Sequence, residues 1–160
     1  MIVYHGATQR VEHPVSDFGR PNLDFGRGFY LTDLRDQAEE WARRQADSRA
    51  EPPVLNVYSF DREAAVEEYK YLHFPAYDKA WLHFIVDSRN GRMPWAGYDI
   101  IEGGIANDRV IDTVNLFSLG LMDEDTALFR LAEHRPNNQI CILSQKVIEK
   151  YLVFNEMITL

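Results

Sequence analysis

The chain has 160 residues, one cysteine and a net charge of −8, from 25 acidic against 17 basic side chains. That length suits one domain over 1–160, able to bury about two-thirds of its unfolded surface without staples. A lone Cys141 excludes an internal disulfide framework, and the acidic balance argues against a broad nucleic-acid footprint, which needs a basic face. Arg10, Arg20, Arg27, Arg43, Arg44 and Arg49 fall in the nearly balanced first part, where a local anion site is conceivable and solvated surface is the plainer reading.

No apolar run approaches the roughly 20 residues of a membrane span. "MIVYHGATQR" lacks the basic start and apolar core of a signal peptide, so a cytoplasmic protein with no membrane partner is expected.

In chain order, "IVYH" reads as a short strand ending at His5-Gly6, and 9–24 as loop, with Pro14, Gly19, Pro21 and Asn22. "GFYLT" follows as a strand, and Thr32 or Asp33 can cap the next helix, on which Leu34, Ala38, Trp41 and Ala42 share a face. "EPP" breaks the chain at 51–53, "VLNVYSF" is a β-branched and aromatic strand, and "REAAVEEY" a short helix. "YDKAWLHFIVDSR" carries Tyr77, Trp81, Phe84, Ile85 and Ser88 on one helical stripe. "YDIIEGGI" is a strand running into glycines, and "VIDTVNLFSLG" and "DEDTALFRLAEH" are two helices parted at Gly120. "NQICILS" is a strand with both faces apolar, "QKVIEK" a helix and "YLVFNEMITL" a last strand. Without a steady β-α-β beat, the order predicts an α+β fold.

Metal chemistry is not indicated, because His5, His13, His73 and His83 are scattered and no Cys/His cluster occurs. The sequence also lacks a nucleophile elbow, a phosphate loop and a full dinucleotide fingerprint. Three features remain. His5 at a strand end can bond a sugar hydroxyl while Gly6 leaves bare backbone beside it, although such a histidine often satisfies a carbonyl instead. Tyr30 and Trp41 have ten residues between them, strand then helix, a placement that lets two rings stack a flat ligand, although both also suit ordinary core. Gln139 stands at the mouth of a buried strand, either presented to a cleft or tying down a loop.

The order of these features resembles the ADP-ribosyltransferases, whose signature is a histidine, a tyrosine pair and a glutamate. "FGRGFYLTDLRDQAEEWA" is similar to the poly(ADP-ribose) polymerase stretch Phe-Gly-Lys-Gly-Ile-Tyr-Phe-Ala-Asp, and "NNQICILSQKVIEKYLVF" to the segment where Asn-Glu leads an apolar strand. The whole chain is also similar to a small bacterial family grouped with these transferases, some of whose members are encoded in toxin–antitoxin fashion. The resemblance implies split mixed and antiparallel sheets with flanking helices around an NAD cleft. It implies NAD as co-substrate, no metal, and single transfers of ADP-ribose, with a small antitoxin as a possible partner. His5 would hold the adenosine-side ribose, Gly6 the nicotinamide carboxamide, and Tyr30 and Trp41 the nicotinamide ring.

Gln139 stands where the family has glutamate. A glutamine keeps the hydrogen bond to a ribose hydroxyl but supplies no charge and no general base. Slower chemistry, a helper carboxylate or a binding-only module are the alternatives. Glu102 and Asp108, in "EGGIANDRV", are the candidate helpers, and Asn107-Asp108 is either part of a ligand-binding cleft wall or an ordinary turn. Gly26 and Gly28 would let the chain turn under a bound dinucleotide; Arg20 is a phosphate candidate, and Arg27 reads as solvated.

Overall fold

The computed structural model describes the backbone of residues 1–160 and every side chain but that of Asp108. The elements are β1 Ile2–Ala7, β2 Phe29–Leu31, α1 Arg35–Arg49, β3 Val54–Phe60, α2 Arg62–Glu68, β4 Tyr71–Phe74, α3 Lys79–Arg89, β5 Ile100–Gly103, α4 Asp108–Ser118, α5 Glu124–Leu131, β6 Gln139–Ile142, α6 Gln145–Tyr151 and β7 Leu152–Thr159. Among the described residues this is an α+β arrangement of two sheets and six helices, as the order of strands and helices implied. One sheet, β1-β3-β7, is antiparallel throughout. The other, β2-β6-β5-β4, is mixed, with β4 and β5 parallel.

The apolar run of β6 explains its central place. Ile140, Cys141 and Ile142 are all fully buried. Alternation sends Cys141 into one cluster, with Phe25, Phe74 and Ile101, and sends Ile140 and Ile142 into another, with Phe29, Leu31 and Ile100. The α3 stripe is as expected: Trp81, Phe84, Ile85 and Ser88 are buried, Tyr77 just ahead of the helix is buried too, and Asp78 caps it by accepting from the Trp81 N–H at 2.9 Å.

α1 departs from expectation. Its buried face is Ala38, Ala42 and Ala46, while Trp41 is 53% exposed and Leu34, in the N-cap position, is exposed as well. The cause is the closeness of β1. A Cβ on Gly6 would lie 2.1 Å from the Ala38 carbonyl oxygen and 2.9 Å from the Ala42 nitrogen. Only a glycine facing alanines allows that approach, so the large side chains turn outward. Neither expected cap has the N-cap position, although Thr32 Oγ1 accepts from the Leu34 N–H at 3.0 Å. On the outer face Glu39 pairs with Arg35 and Arg43, and Glu40 with Arg44, which accounts for part of the early arginine content. β4 was not expected from the sequence: its four residues carry no clear alternation, and its pairing with β5 makes it a strand.

Gly6→Ala should cost at least about 1–3 kcal/mol, because the atoms in the way are backbone. Urea unfolding checks this; an unchanged midpoint would mean that α1 can move off β1 freely.

Candidate functional site

The two sheets meet at Thr32, which lies one residue past β2 and is 5% exposed. Its N–H donates to the Tyr4 carbonyl at 3.0 Å, and its own carbonyl accepts from the Tyr4 N–H at 2.8 Å. Its hydroxyl donates to the Asn138 carbonyl at 2.7 Å while accepting from Leu34 at the start of α1. Gln37 Nε2 donates to the same Asn138 oxygen at 3.0 Å. The Asn138 amide nitrogen donates to Asp33 Oδ1 at 2.9 Å and to Glu102 Oε1 at 3.1 Å. One small region therefore joins β1, the end of β2, the head of α1, β5 and the entry to β6.

The expected site residues sit one or two positions from these anchors. His5 follows Tyr4, Tyr30 precedes Thr32 by two, Gln139 follows Asn138, and Trp41 is in the α1 turn that packs on Gly6. Tyr30 pairs with Cys141, so Gln139 is its diagonal neighbour on one face of the sheet, at about 7–8 Å.

His5 Nδ1 lies 2.8 Å from the Tyr30 carbonyl, and its ring rests on Phe29 with centroids 4.6 Å apart. A carbonyl only accepts, so Nδ1 carries the proton and Nε2 of the neutral ring is an acceptor. Burial lowers the His5 pKa, against the smaller raising effect of the Tyr30 carbonyl. Nε2 has no protein partner among the described residues. The carbonyl-binding role foreseen as the plainer alternative for His5 is thus realised at Nδ1, and the other nitrogen is left over.

The Tyr30 hydroxyl donates to the Gly26 carbonyl at 2.5 Å and accepts from the Phe25 N–H at 3.2 Å. Burial above all, with Cys141 adding to it, pushes this phenol well above its ordinary range, so it stays neutral. Gln139 is half-buried, and its side-chain amide makes no hydrogen bond among the described residues. Trp41 is exposed and makes no ring contact among the described residues, with Tyr30 or any other. The Gly6 carbonyl accepts from Gln45 Nε2 at 3.4 Å, so part of its backbone is engaged within the protein.

The remaining candidates are placed as follows. Glu102 lies opposite Ile140, on the sheet face away from Gln139, and is 5% exposed. Arg62 Nε at 2.7 Å and the Tyr71 hydroxyl at 2.6 Å both donate to its Oε2. Burial, the largest influence, pushes Glu102 up, but the hydrogen bonds from Tyr71, Arg62 and Asn138 together hold it below the usual range. Both its oxygens are engaged within the protein, Oε2 by Arg62 and Tyr71 and Oε1 by Asn138. Asn107 is the N-cap of α4, its Oδ1 accepting from the Val110 N–H at 3.4 Å, which is the ordinary-turn reading. The Asp108 side chain lies outside the described residues. Arg20 is exposed on the loop between β1 and β2 and makes no ion pair among the described residues.

The bare backbone at 26–28 is covered by protein. Gly26 has φ +85°, with its would-be Cβ 2.3 Å from the Trp95 ring, and that of Gly28 would lie 2.4 Å from Cys141 Sγ. Asp24 locks this turn by accepting from Arg89 Nε at 2.8 Å and from the Ala106 N–H at 3.0 Å. Two open depressions of about 450 and 510 Å³, one beside Tyr71 and Tyr98 and the other beside Asp61 and Tyr151, do not include His5, Tyr30, Trp41 or Gln139. Among the described residues there is no group of three or more His, Cys, Asp or Glu placed to hold a metal, and no helix long and apolar enough to cross a membrane.

The family model described as "Protein of unknown function (DUF3990)" matches residues 1–154, and the chain belongs to that family. No curated protein and no solved structure matches the chain.

Because its folded pKa is depressed, His5 stabilises the fold fully above its unfolded pKa of about 6.5, and that stability is lost as pH falls through its lower folded value. NMR titration should place the His5 midpoint below about 6.5, and His5→Gln should flatten the stability profile over that range. A midpoint above 6.5 would contradict the environment described.

Proposed function

We propose that this domain resembles the ADP-ribosyltransferases in fold and in chemistry, binds NAD at the Thr32 junction, and transfers single ADP-ribose units to an acceptor. The observation that carries this reading is a division among neighbouring side chains. Thr32, Asn138 and Tyr4 are tied into the protein, whereas His5 Nε2, the Gln139 amide and the Trp41 ring beside them have no protein partner among the described residues. A dinucleotide suits that set. The Nε2 acceptor takes a ribose hydroxyl, the amide takes or gives a hydrogen bond to the second ribose, and the exposed indole stacks a flat ring.

The reaction breaks the bond between the nicotinamide nitrogen and the ribose carbon. Nicotinamide leaves with the bonding electron pair, and an acceptor nucleophile bonds to that carbon and loses its proton. With water as acceptor, the products are ADP-ribose, nicotinamide and a proton. The developing positive charge resembles that of glycoside cleavage, where a carboxylate normally assists. Gln139 assists as a neutral group, and charge-assisted hydrogen bonds are roughly twice as strong as neutral ones. Slow transfer is expected, with single additions in preference to polymer. Gln139 also motivates a second reading, a module that holds NAD or ADP-ribose without turnover.

Calorimetric titration of NAD into the purified chain, followed by measurement of free nicotinamide, separates the two. Binding with release supports the transferase, and binding without release in both the native chain and Gln139→Glu supports the module. His5→Ala and Trp41→Ala should each weaken binding by about 1–3 kcal/mol. Absence of binding at millimolar NAD would sink both readings.

A further inference from the structure

Asn138 was not singled out in the sequence, yet it is heavily tethered beside the site. Its carbonyl accepts from the Thr32 hydroxyl and from Gln37, and its amide nitrogen donates to Asp33 and Glu102. Glu102 is itself held by Arg62 and Tyr71, and Arg62 donates in addition to the Tyr71 hydroxyl at 2.7 Å. The direct partners come from two places, the segment 32–37 and Glu102, 36 to 106 residues away along the chain. Beyond Asn138 the strand begins at once, with Gln139 opposite Gly103, which has no side chain to steer it.

Stability alone does not explain this arrangement. Burying a carboxylate and a guanidinium costs desolvation that their attraction often fails to recover. Tethering from two sides does, however, constrain where the next residue starts and how its side chain is turned. We infer that Asn138 is a positioning residue, which uses the Arg62–Tyr71–Glu102 cluster and the Thr32–Asp33–Gln37 turn to aim the Gln139 amide at the ligand. The effect on catalysis rests on the transferase reading, whereas the effect on Gln139 itself does not.

The test reverses the polarity of one hydrogen bond. Asn138→Asp sets a carboxylate against Glu102 and Asp33. Adding Glu102→Gln gives that carboxylate an amide donor and restores the original charge. In the 15N-labelled full chain, the Gln139 side-chain amide signal, assigned by its loss in Gln139→Ala, should shift or broaden in Asn138→Asp and return in the double variant. Nicotinamide release should fall at least about tenfold in Asn138→Asp, with KM for NAD within twofold, and recover in the double variant. A role in stability alone would lower the melting temperature without moving the Gln139 amide, and that result would overturn the inference. So would a folded double variant that fails to recover the signal. If the native chain neither binds NAD nor releases nicotinamide, the transferase reading fails, and the Gln139 signal alone then decides the positioning role. Should Asn138→Asp not fold, Asn138→Ser, which keeps a donor for only one carboxylate, is read in the same way.

Discussion

Everything placed at the candidate site depends on the hydrogen bonds of Thr32. Among the described residues, one isolated bridge, Tyr4 with Thr32, connects the strands of the two sheets. The side chain of the same residue then reaches in two other directions, accepting from the head of α1 and donating to the entry of β6. A hydroxyl is the smallest group that both gives and accepts, which is what two neighbours of opposite polarity require. An alanine there would leave the Asn138 carbonyl with Gln37 alone and the Leu34 N–H unmet. A valine would add the desolvation of both groups to that loss.

The charged groups around this junction follow one pattern. Glu102 is matched by Arg62, and Asp24 by Arg89, each in a buried or half-buried pair with further hydrogen bonds to the carboxylate. Such pairs are weak contributors to stability but strong constraints on geometry, since removing one partner strands the other. Both fix the approach of a loop to the ends of β5 and β6. Asp24 ties the 24–26 turn to Ala106, and Asn137 accepts from the Ile105 N–H at 2.8 Å. Loops that would otherwise carry loose backbone are thereby fixed on the side of the sheet where Tyr30 and Gln139 lie.

Where sequence pattern and burial coincide, the fold was legible. Three apolar residues in a row made β6 an interior strand, and the α3 stripe of Trp81, Phe84, Ile85 and Ser88 is buried as its spacing implied. α1 misled because its contact face is made of alanines, so its largest residue, Trp41, drew the inference that belonged to Ala38, Ala42 and Ala46. β4 left no alternation to read, and its partner lies beyond the whole of α3. His5, Tyr30 and Gln139 were singled out by their order, and the structure brings their segments to one junction. Thr32 was seen only as a strand end and a possible cap, and Asn138 only as the first residue of a strand. Their partners are distant in sequence, and a hydrogen bond across 106 residues leaves no local pattern. Glu102 looked available because its strand runs into glycines; its register, opposite Ile140, turns it to the other face.

That register bears on what an amide at position 139 can do. On the transferase reading, the negative charge missing from Gln139 has to come from elsewhere, and the buried Glu102 and half-buried Asp24 nearby are each paired with an arginine. Asp33 is different: it is exposed, bonded to Asn138, and without a cationic partner among the described residues. It lies at the junction but, like Glu102, acts on the residue before Gln139 and not on Gln139 itself. On that reading, with Glu102 and Asp33 both bonded to Asn138, these two carboxylates leave the protein chiefly to hold and orient the ribose. Orientation alone is worth a large part of such a barrier, provided the geometry is kept tight. On the transferase reading, a neutral amide held by a rigid neighbour would supply alignment and a hydrogen bond, without the charge that a glutamate brings.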